Sequence, residues 1–372
     1  MTPYILLLVL TTLFAYFADL LFKKHHSQSI VFIIGIVVVY TVIAGLRDFG
    51  IGIDTNVYIE DYFDTAKSLV SIKDFLTIES MDKGFLFICW ISSLISSDKQ
   101  VVLVVVEFWI IAFTMHGVYM LKKNHGVKLW IFVFLYFFMF FGYSINLMRQ
   151  FCAMSLLFWG FAWLRKGNWK VYALTQVVAY YFHSSSVVFL IVPIVYFLSS
   201  IKNVRFRNYI TIASLIVFIF IMSSFIYFLT LFGDFKIVSD VYTDRYGQNS
   251  DFNTTAGSSN ILLLSYMFEF FLLYIASINK RMPVSYKYIL VTLYCINFLL
   301  IQLHFITAYL DRLSYYIGLV YMTYLVYVLE DKRINPLLRV TVVCFTIFFS
   351  YRIFIENGGA EIYPYTSKIL GI

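Results

Sequence analysis

This chain has little charge. Only 13% of its 372 residues are Asp, Glu, Lys or Arg, against 61% hydrophobic, and the mean hydropathy is +0.82. That balance excludes a soluble globular domain and belongs to a polytopic membrane protein. Cysteine is sparser still, with four residues in all. Cys89, Cys152, Cys295 and Cys344 all lie in apolar runs, which points to packing and to neither a disulfide framework nor a metal site. No small-residue cleavage site follows the first apolar run, so that run reads as a span and not as a secretory leader. No internal repeat, low-complexity segment or soluble terminal domain is visible. The net charge of +7 is spread over short loops between apolar runs, so it reports topology and not a nucleic-acid partner.

What is present is a series of apolar runs long enough to cross a bilayer. They cover 4–22, 30–46, 101–121, 129–146, 150–164, 209–232, 260–278, 288–308, 313–329 and 337–355. Phe85–Ile95 is too short and reads as an interfacial or re-entrant helix. The run 171–198 is interrupted by His183-Ser184-Ser185-Ser186 and predicts a broken helix hairpin. The expectation is an all-α fold, a single transmembrane domain over 1–372. It has about ten to twelve membrane helices, one of them a broken or re-entrant pair, and outer loops at 47–84 and 233–259. The short loops assigned to the cytoplasm hold 17 Lys/Arg and two acids, whereas 47–83 holds eight acids and 233–258 four. That asymmetry sets the orientation. Asp19, four residues before Lys23, is expected to pair with it.

Between Leu129 and Leu164 the only charge is Arg149. The stretch is long enough to cross twice, and both its flanks are basic, so the turn carrying Arg149 falls on the outer side. A cation there, beside Asn146 and Gln150, calls for an anion. Three further polar groups join it at the same boundary. Arg47-Asp48-Phe49-Gly50-Ile51-Gly52-Ile53-Asp54, followed by Tyr58, comes after the second span; its two glycines permit a tight turn, without the βαβ context of a dinucleotide fingerprint. His183 and Ser184 mark the hairpin break, and no G-x-S-x-G elbow accompanies them. Asp311-Arg312 opens the 313–329 span, with Gln302 and His304 nearby, and Glu107 and Glu269 are intramembrane counter-ion candidates. If Arg47, Arg149 and Arg312 converge, they form a clamp for a strongly anionic group at headgroup depth, of which a lipid-linked diphosphate is the natural example. No D-x-D or His/carboxylate cluster suggests a metal, so fixed arginines would stabilise a diphosphate leaving group.

The motifs resemble, in order, those of the EpsG family, the Wzy-like polysaccharide polymerases of bacterial envelopes. They are Gly45-Leu46-Arg47-Asp48-x-Gly50-x-Gly52-x-Asp54-x₃-Tyr58, Asp82-Lys83-Gly84-Phe85, Ser144-x-Asn146-x₂-Arg149-Gln150-x₂-Ala153, Phe182-His183-Ser184-Ser185, Arg312, and Tyr363-Pro364-Tyr365. Asp82 stands where the family more often has Glu. The resemblance implies a GT-C-like membrane glycosyltransferase of the bacterial inner membrane that needs no cofactor or metal. Its substrate would be an undecaprenyl-diphosphate-linked oligosaccharide, polymerised at the outer face for O-antigen, capsule or exopolysaccharide. Its partners would be membrane lipid and a separate chain-length regulator. On this reading Arg47, Arg149 and Arg312 hold the donor diphosphate, Asn146 and Gln150 orient oxygens, and Tyr58 and Ser184 contact the glycan. Tyr62, Tyr242 and Tyr246 offer further sugar faces. His183 or Asp54 takes the acceptor's proton, with His183 preferred. An O-antigen ligase shares the donor but typically carries a larger outer loop. A flippase or transporter would show paired broken helices in two halves, and a membrane acyltransferase would need a thioester site.

Overall fold

The computed structural model describes residues 2–69, 72–78, 82–223, 284–301 and 310–372, with isolated positions between 267 and 274. Among these residues every regular element is helical, as the composition predicts for a chain that must satisfy its backbone inside lipid. Among the described residues, five helices are long and apolar enough to cross a membrane: Thr2–Leu21, His26–Gly45, Gln100–His125, Arg312–Glu330 and Pro336–Glu356. Four shorter apolar helices accompany them, and the outer loop 233–259 and all but isolated positions of the predicted span 260–278 lie outside the described residues.

The chain divides into two units, residues 1–189 with 325–372, and residues 190–324. The first begins with α1 (Thr2–Leu21) and α2 (His26–Gly45), which pack as a hairpin. Next come α3 (Ile53–Ser68), α4 (Ile72–Thr77), α5 (Lys83–Ile95) and α6 (Gln100–His125). α7 (Leu129–Ser144) passes through a π-helical segment at Phe137–Phe141. It is followed by α8 (Met148–Arg165) and α9 (Trp169–Phe182). α2 packs on α6, α6 on α8 and α8 on α9, while α7 returns against α1. The second unit contains α10 (Ile191–Ser199), α11 (Val204–Ser223) and α12 (Val284–Ile301); α13 (Tyr315–Glu330) runs from it into the first, which α14 (Pro336–Tyr351) completes. The outward faces of α1 and α2 carry exposed Ile5, Leu6, Val9, Leu13, Val31, Ile34 and Val38, a surface suited to acyl chains and not to water.

Two sequence expectations change here. The segment 47–84, expected as a loop, is largely helical. α3 buries Thr55, Ile59, Tyr62, Phe63 and Ala66 on one stripe and exposes Glu60, Asp61, Asp64 and Lys67 on the other. This amphipathic period escapes a search for apolar runs. Asp19 pairs with Lys122 of α6, not Lys23, and also accepts the backbone N–H of Trp130 at 3.1 Å. The break at His183 is a reversal of direction: Tyr172 donates to the Phe189 carbonyl at 3.1 Å and Gln176 to that of Ser186 at 3.0 Å, so 184–190 runs back along α9.

The first unit therefore has two polar ends. At one, Asp19–Lys122, Lys128–Glu330 and the bond from Tyr327 to the His125 carbonyl tie the basic loops together. At the other lie Arg47, Glu107 and Arg149, and about 22 Å of α6 separates Glu107 from Lys122.

Candidate functional site

The far end of the first unit is built where α2 stops. Gly52 has φ +90°, a backbone conformation that favours glycine, and an added Cβ there would stand 3.0 Å from the Ile145 carbonyl oxygen. Only glycine lets the 46–52 loop pass this close to the α7–α8 link. Directly after it, the backbone N–H of Asp54 donates to Asn146 Oδ1 at 3.0 Å, fastening the first turn of α3 to the same link. Asn146 and Gln150 are both buried.

Beneath this loop lies Arg47, which is wholly buried. Its Nε donates to the Ile51 carbonyl at 3.4 Å. Nη1 donates to the Ala44 carbonyl and to Glu107 Oε1 at 2.8 Å, and Nη2 to the Ile145 carbonyl at 2.6 Å and the Met148 sulfur at 3.7 Å. A guanidinium has five N–H donors, and each has a partner here. Arg47 was expected in the diphosphate clamp. The structure instead makes it the internal pin that joins α2, the 46–52 loop, α6 and the α7–α8 link. Glu107, one of the two counter-ion candidates, is its partner.

Arg149 is held differently. It lies in the first turn of α8, where the helix dipole presents its positive end and disfavours a cation. Its Nη1 donates to Asp82 Oδ2 at 2.7 Å and to the Tyr62 hydroxyl at 3.4 Å, and its Cζ lies 3.7 Å from the centre of the Tyr58 ring. Nε and Nη2 donate to none of the described residues. The Arg149 side chain is 19% exposed and that of Asp82 27%, so the pair is open to solvent on one side. Tyr62 also accepts the Asp82 backbone N–H at 2.9 Å and stacks edge-on against Phe85. Burial raises the Asp82 carboxyl above the usual carboxylate range, with Arg149 opposing the shift, and burial likewise raises the Tyr62 phenol.

His183 reaches the same neighbourhood through Gly84. A Cβ on Gly84 would sit 2.8 Å from the Phe182 ring and 2.9 Å from its backbone nitrogen, so the start of α5 touches the end of α9. Phe182 packs on Trp109, and His183 Nδ1 shares a hydrogen bond of 2.7 Å with Ser185 Oγ. Ser184 starts the 3₁₀ segment Ser184–Leu190. The chain's last residues close the arrangement. Asp48 N–H donates to the Thr366 carbonyl, Lys368 N–H to Asp48 Oδ1, Tyr365 to the Ile43 carbonyl and Tyr4 to the Ile362 carbonyl. Its bond from Lys368 holds the Asp48 carboxyl below its usual range.

Arg47, Asp54, Tyr58, Asp82, Asn146, Arg149, Gln150, His183 and Ser184 thus come from segments far apart in sequence and lie at one end of one unit. Arg312 lies in the second unit, in the 3₁₀ turn Leu310–Ser314, half-buried. Gln302, His304, Glu269, Tyr242, Tyr246 and the Asp311 side chain fall outside the described residues. Sequence reasoning gave Asp82 no role, although the Asp82-Lys83-Gly84-Phe85 motif was visible. Its acid was one of eight in the segment, and only folding singles it out. Among the described residues no group of three or more His, Cys, Asp or Glu could hold a metal ion.

A search of curated proteins and one of solved structures each returned no match. The family model described as "EpsG family" matches residues 29–367. That interval runs from the start of α2 to the C-terminal segment that binds the Arg47 loop. The chain belongs to the EpsG family, whose members are Wzy-like polymerases.

Proposed function

We propose that this membrane protein polymerises lipid-linked oligosaccharide repeat units, with Arg149 holding the diphosphate of the donor. Family membership gives the general polymerase role; the donor, the chemistry and the residues are our reading. The observation that carries it is the state of Arg149, a cation in the first turn of a helix, with two nitrogens that donate to none of the described residues and an aromatic ring against its face. An anion at this point relieves the unfavourable dipole contact and takes up the spare N–H groups. In the transfer, the acceptor hydroxyl oxygen attacks the anomeric carbon of the donor sugar as the bond to the lipid diphosphate breaks. Negative charge grows on that diphosphate, and a fixed guanidinium stabilises it.

The residues around Arg149 keep their own tasks. Asn146 fixes α3 beside it, buried Gln150 follows in the same helix turn, and Tyr58 covers the guanidinium. The site lies at the opposite end of the unit from the basic loops, and the positive-inside rule supports reading that end as the outer face of a bacterial plasma membrane. Undecaprenyl diphosphate is the carrier that this family and this depth suggest.

The test uses the purified protein in liposomes and the lipid-linked repeat unit that accumulates in source cells lacking this gene. Wild type is expected to convert it to a ladder of longer glycans, and Arg149→Ala to lose roughly 10²-fold in rate, the usual effect of removing a donor to developing charge. An Arg149→Ala protein that builds long chains at the wild-type rate would overturn the role given to this residue.

A further inference from the structure

We infer that Asp82 is the proton acceptor of this transfer, masked by Arg149 until the donor's diphosphate takes the arginine away. The inference rests on the polymerase reading above and adds to it a residue and an order of events.

Four observations support it. First, Asp82 stands at the N-cap of α5, where an Asp side chain ordinarily accepts an N–H of the first turn. Here it caps nothing and turns to Arg149. Second, the pairing is loose. One carboxylate oxygen meets one guanidinium nitrogen, Oδ1 accepts from none of the described residues, and the fork-to-fork geometry of a structural Arg–carboxylate pair is not made. Third, the backbone beneath is fixed by contacts other than the Asp82–Arg149 pair. The Tyr62 hydroxyl holds the Asp82 amide and Gly84 is wedged against Phe182, so Asp82 stays in place when its partner leaves. Fourth, the carboxyl is already shifted upward by burial. Losing the cation raises it further, towards the range where a carboxylate accepts a proton effectively near neutrality.

The groups facing Asp82 are Arg149 of α8 and Tyr62 of α3, with Tyr58 beyond the guanidinium, Lys83 beside it and His183 across the Gly84–Phe182 contact. The Lys83 ammonium is turned away, onto the Leu76 carbonyl at 2.7 Å. A diphosphate carries more negative charge than one carboxylate and offers several acceptor oxygens, so it takes Nη1 from Asp82 as well as the spare Nε and Nη2. Binding of the donor therefore unmasks the base. The acceptor hydroxyl gives its proton to Asp82 while its oxygen bonds to the anomeric carbon. The bond from that carbon to the diphosphate oxygen breaks, and its electron pair leaves with the lipid diphosphate, held by Arg149. When the product departs, Asp82 releases the proton to water and Arg149 returns to it. His183, preferred from the sequence, shares its Nδ1 with Ser185 Oγ, whereas Asp82 is the acid in direct contact with Arg149.

The experiment compares wild type, Asp82→Asn and Asp82→Glu in liposomes. It measures chain extension of the lipid-linked repeat unit across pH, and binding of undecaprenyl diphosphate itself. Asp82→Asn should lose roughly 10²-fold or more in rate, bind undecaprenyl diphosphate as tightly as wild type or tighter, and lose the acid limb of the rate profile. Asp82→Glu, which keeps the carboxylate, should restore the rate and the limb. Asp82→Asn extending chains within about tenfold of wild type, or losing binding in step with rate, overturns the inference; the second result would make Asp82 a support for Arg149 alone. A wild type that leaves the repeat unit unextended overturns the polymerase reading and this inference with it. An active wild type beside an active Asp82→Asn overturns this inference only.

Discussion

Arg47–Glu107 and Arg149–Asp82 are both arginine–carboxylate pairs at one end of the same unit, and they are built for opposite purposes. Arg47 is wholly buried and every N–H it owns is spent, four of the five on groups other than its acid. Arg149 is 19% exposed, touches its acid through one nitrogen and rests its face on an aromatic ring. A saturated pair cannot exchange partners without stranding a charge, so it serves as a joint. An unsaturated, half-open pair can exchange its acid for another anion, which is the ground for proposing it as a binding site. The lesson extends to any intramembrane arginine: its unspent donors, more than its charge, tell a ligand-binding residue from a structural one.

The comparison can be broken most severely at Glu107. Glu107→Leu leaves the Arg47 cation buried and unpaired, which costs about 3–5 kcal/mol. The expected result is protein lost from the membrane or a large fall in the detergent melting temperature. A variant that melts like wild type would mean that Arg47 is not a joint. Arginine-to-lysine exchange then separates the two sites. A lysine offers three rotatable donors in place of a planar five-donor fork. Arg47→Lys should therefore destabilise the protein, while Arg149→Lys should fold normally and keep measurable chain extension. Equal melting temperatures for the two variants would erase the distinction. Tyr58→Leu removes the ring beneath Arg149, a contact worth about 0.5–2 kcal/mol. Undecaprenyl diphosphate binding should weaken severalfold with stability unchanged, and unaltered binding would show that the ring is only packing.

The smallest effect concerns the C-terminal segment. The Asp48 carboxyl is lower in the folded protein than in an unfolded chain, so its bond to Lys368 contributes fully above the ordinary carboxylate range. That contribution is lost as pH falls through the lowered value. Protease clipping within 357–372 should rise only in strong acid, and Asp48→Asn should make it independent of pH. Clipping that rises in neutral solution would show that the segment is held by other contacts.

Much of this was legible in the linear order of residues. Runs of apolar residues announced α1, α2 and α6 because a bilayer demands long uncharged helices. The lone charge in 129–164 identified Arg149, since a cation in such a stretch needs a reason. The break at His183 was visible because four polar residues interrupt an apolar run. α3 was not legible as a helix, because its stripe of Ile59, Tyr62, Phe63 and Ala66 lies among acids and carries no continuous apolar signal. Arg47 was seen and misplaced. Nothing in Arg47-Asp48-Phe49-Gly50 distinguishes an arginine that meets a ligand from one that meets five carbonyl and side-chain partners from α2, its own loop, α6, the α7–α8 link and the start of α8.

Hydropathy and motif order are properties of the linear chain, and they suffice to make this a helical membrane protein of the EpsG family with most of its informative polar residues between spans. The tertiary structure alone decided which of those residues share a site and which of them have donors to spare. Partnership is a matter of distance: Asp82 and Arg149 are far apart in sequence and 2.7 Å apart in space, and only folding brings a carboxylate to one arginine while sealing the other away from any ligand.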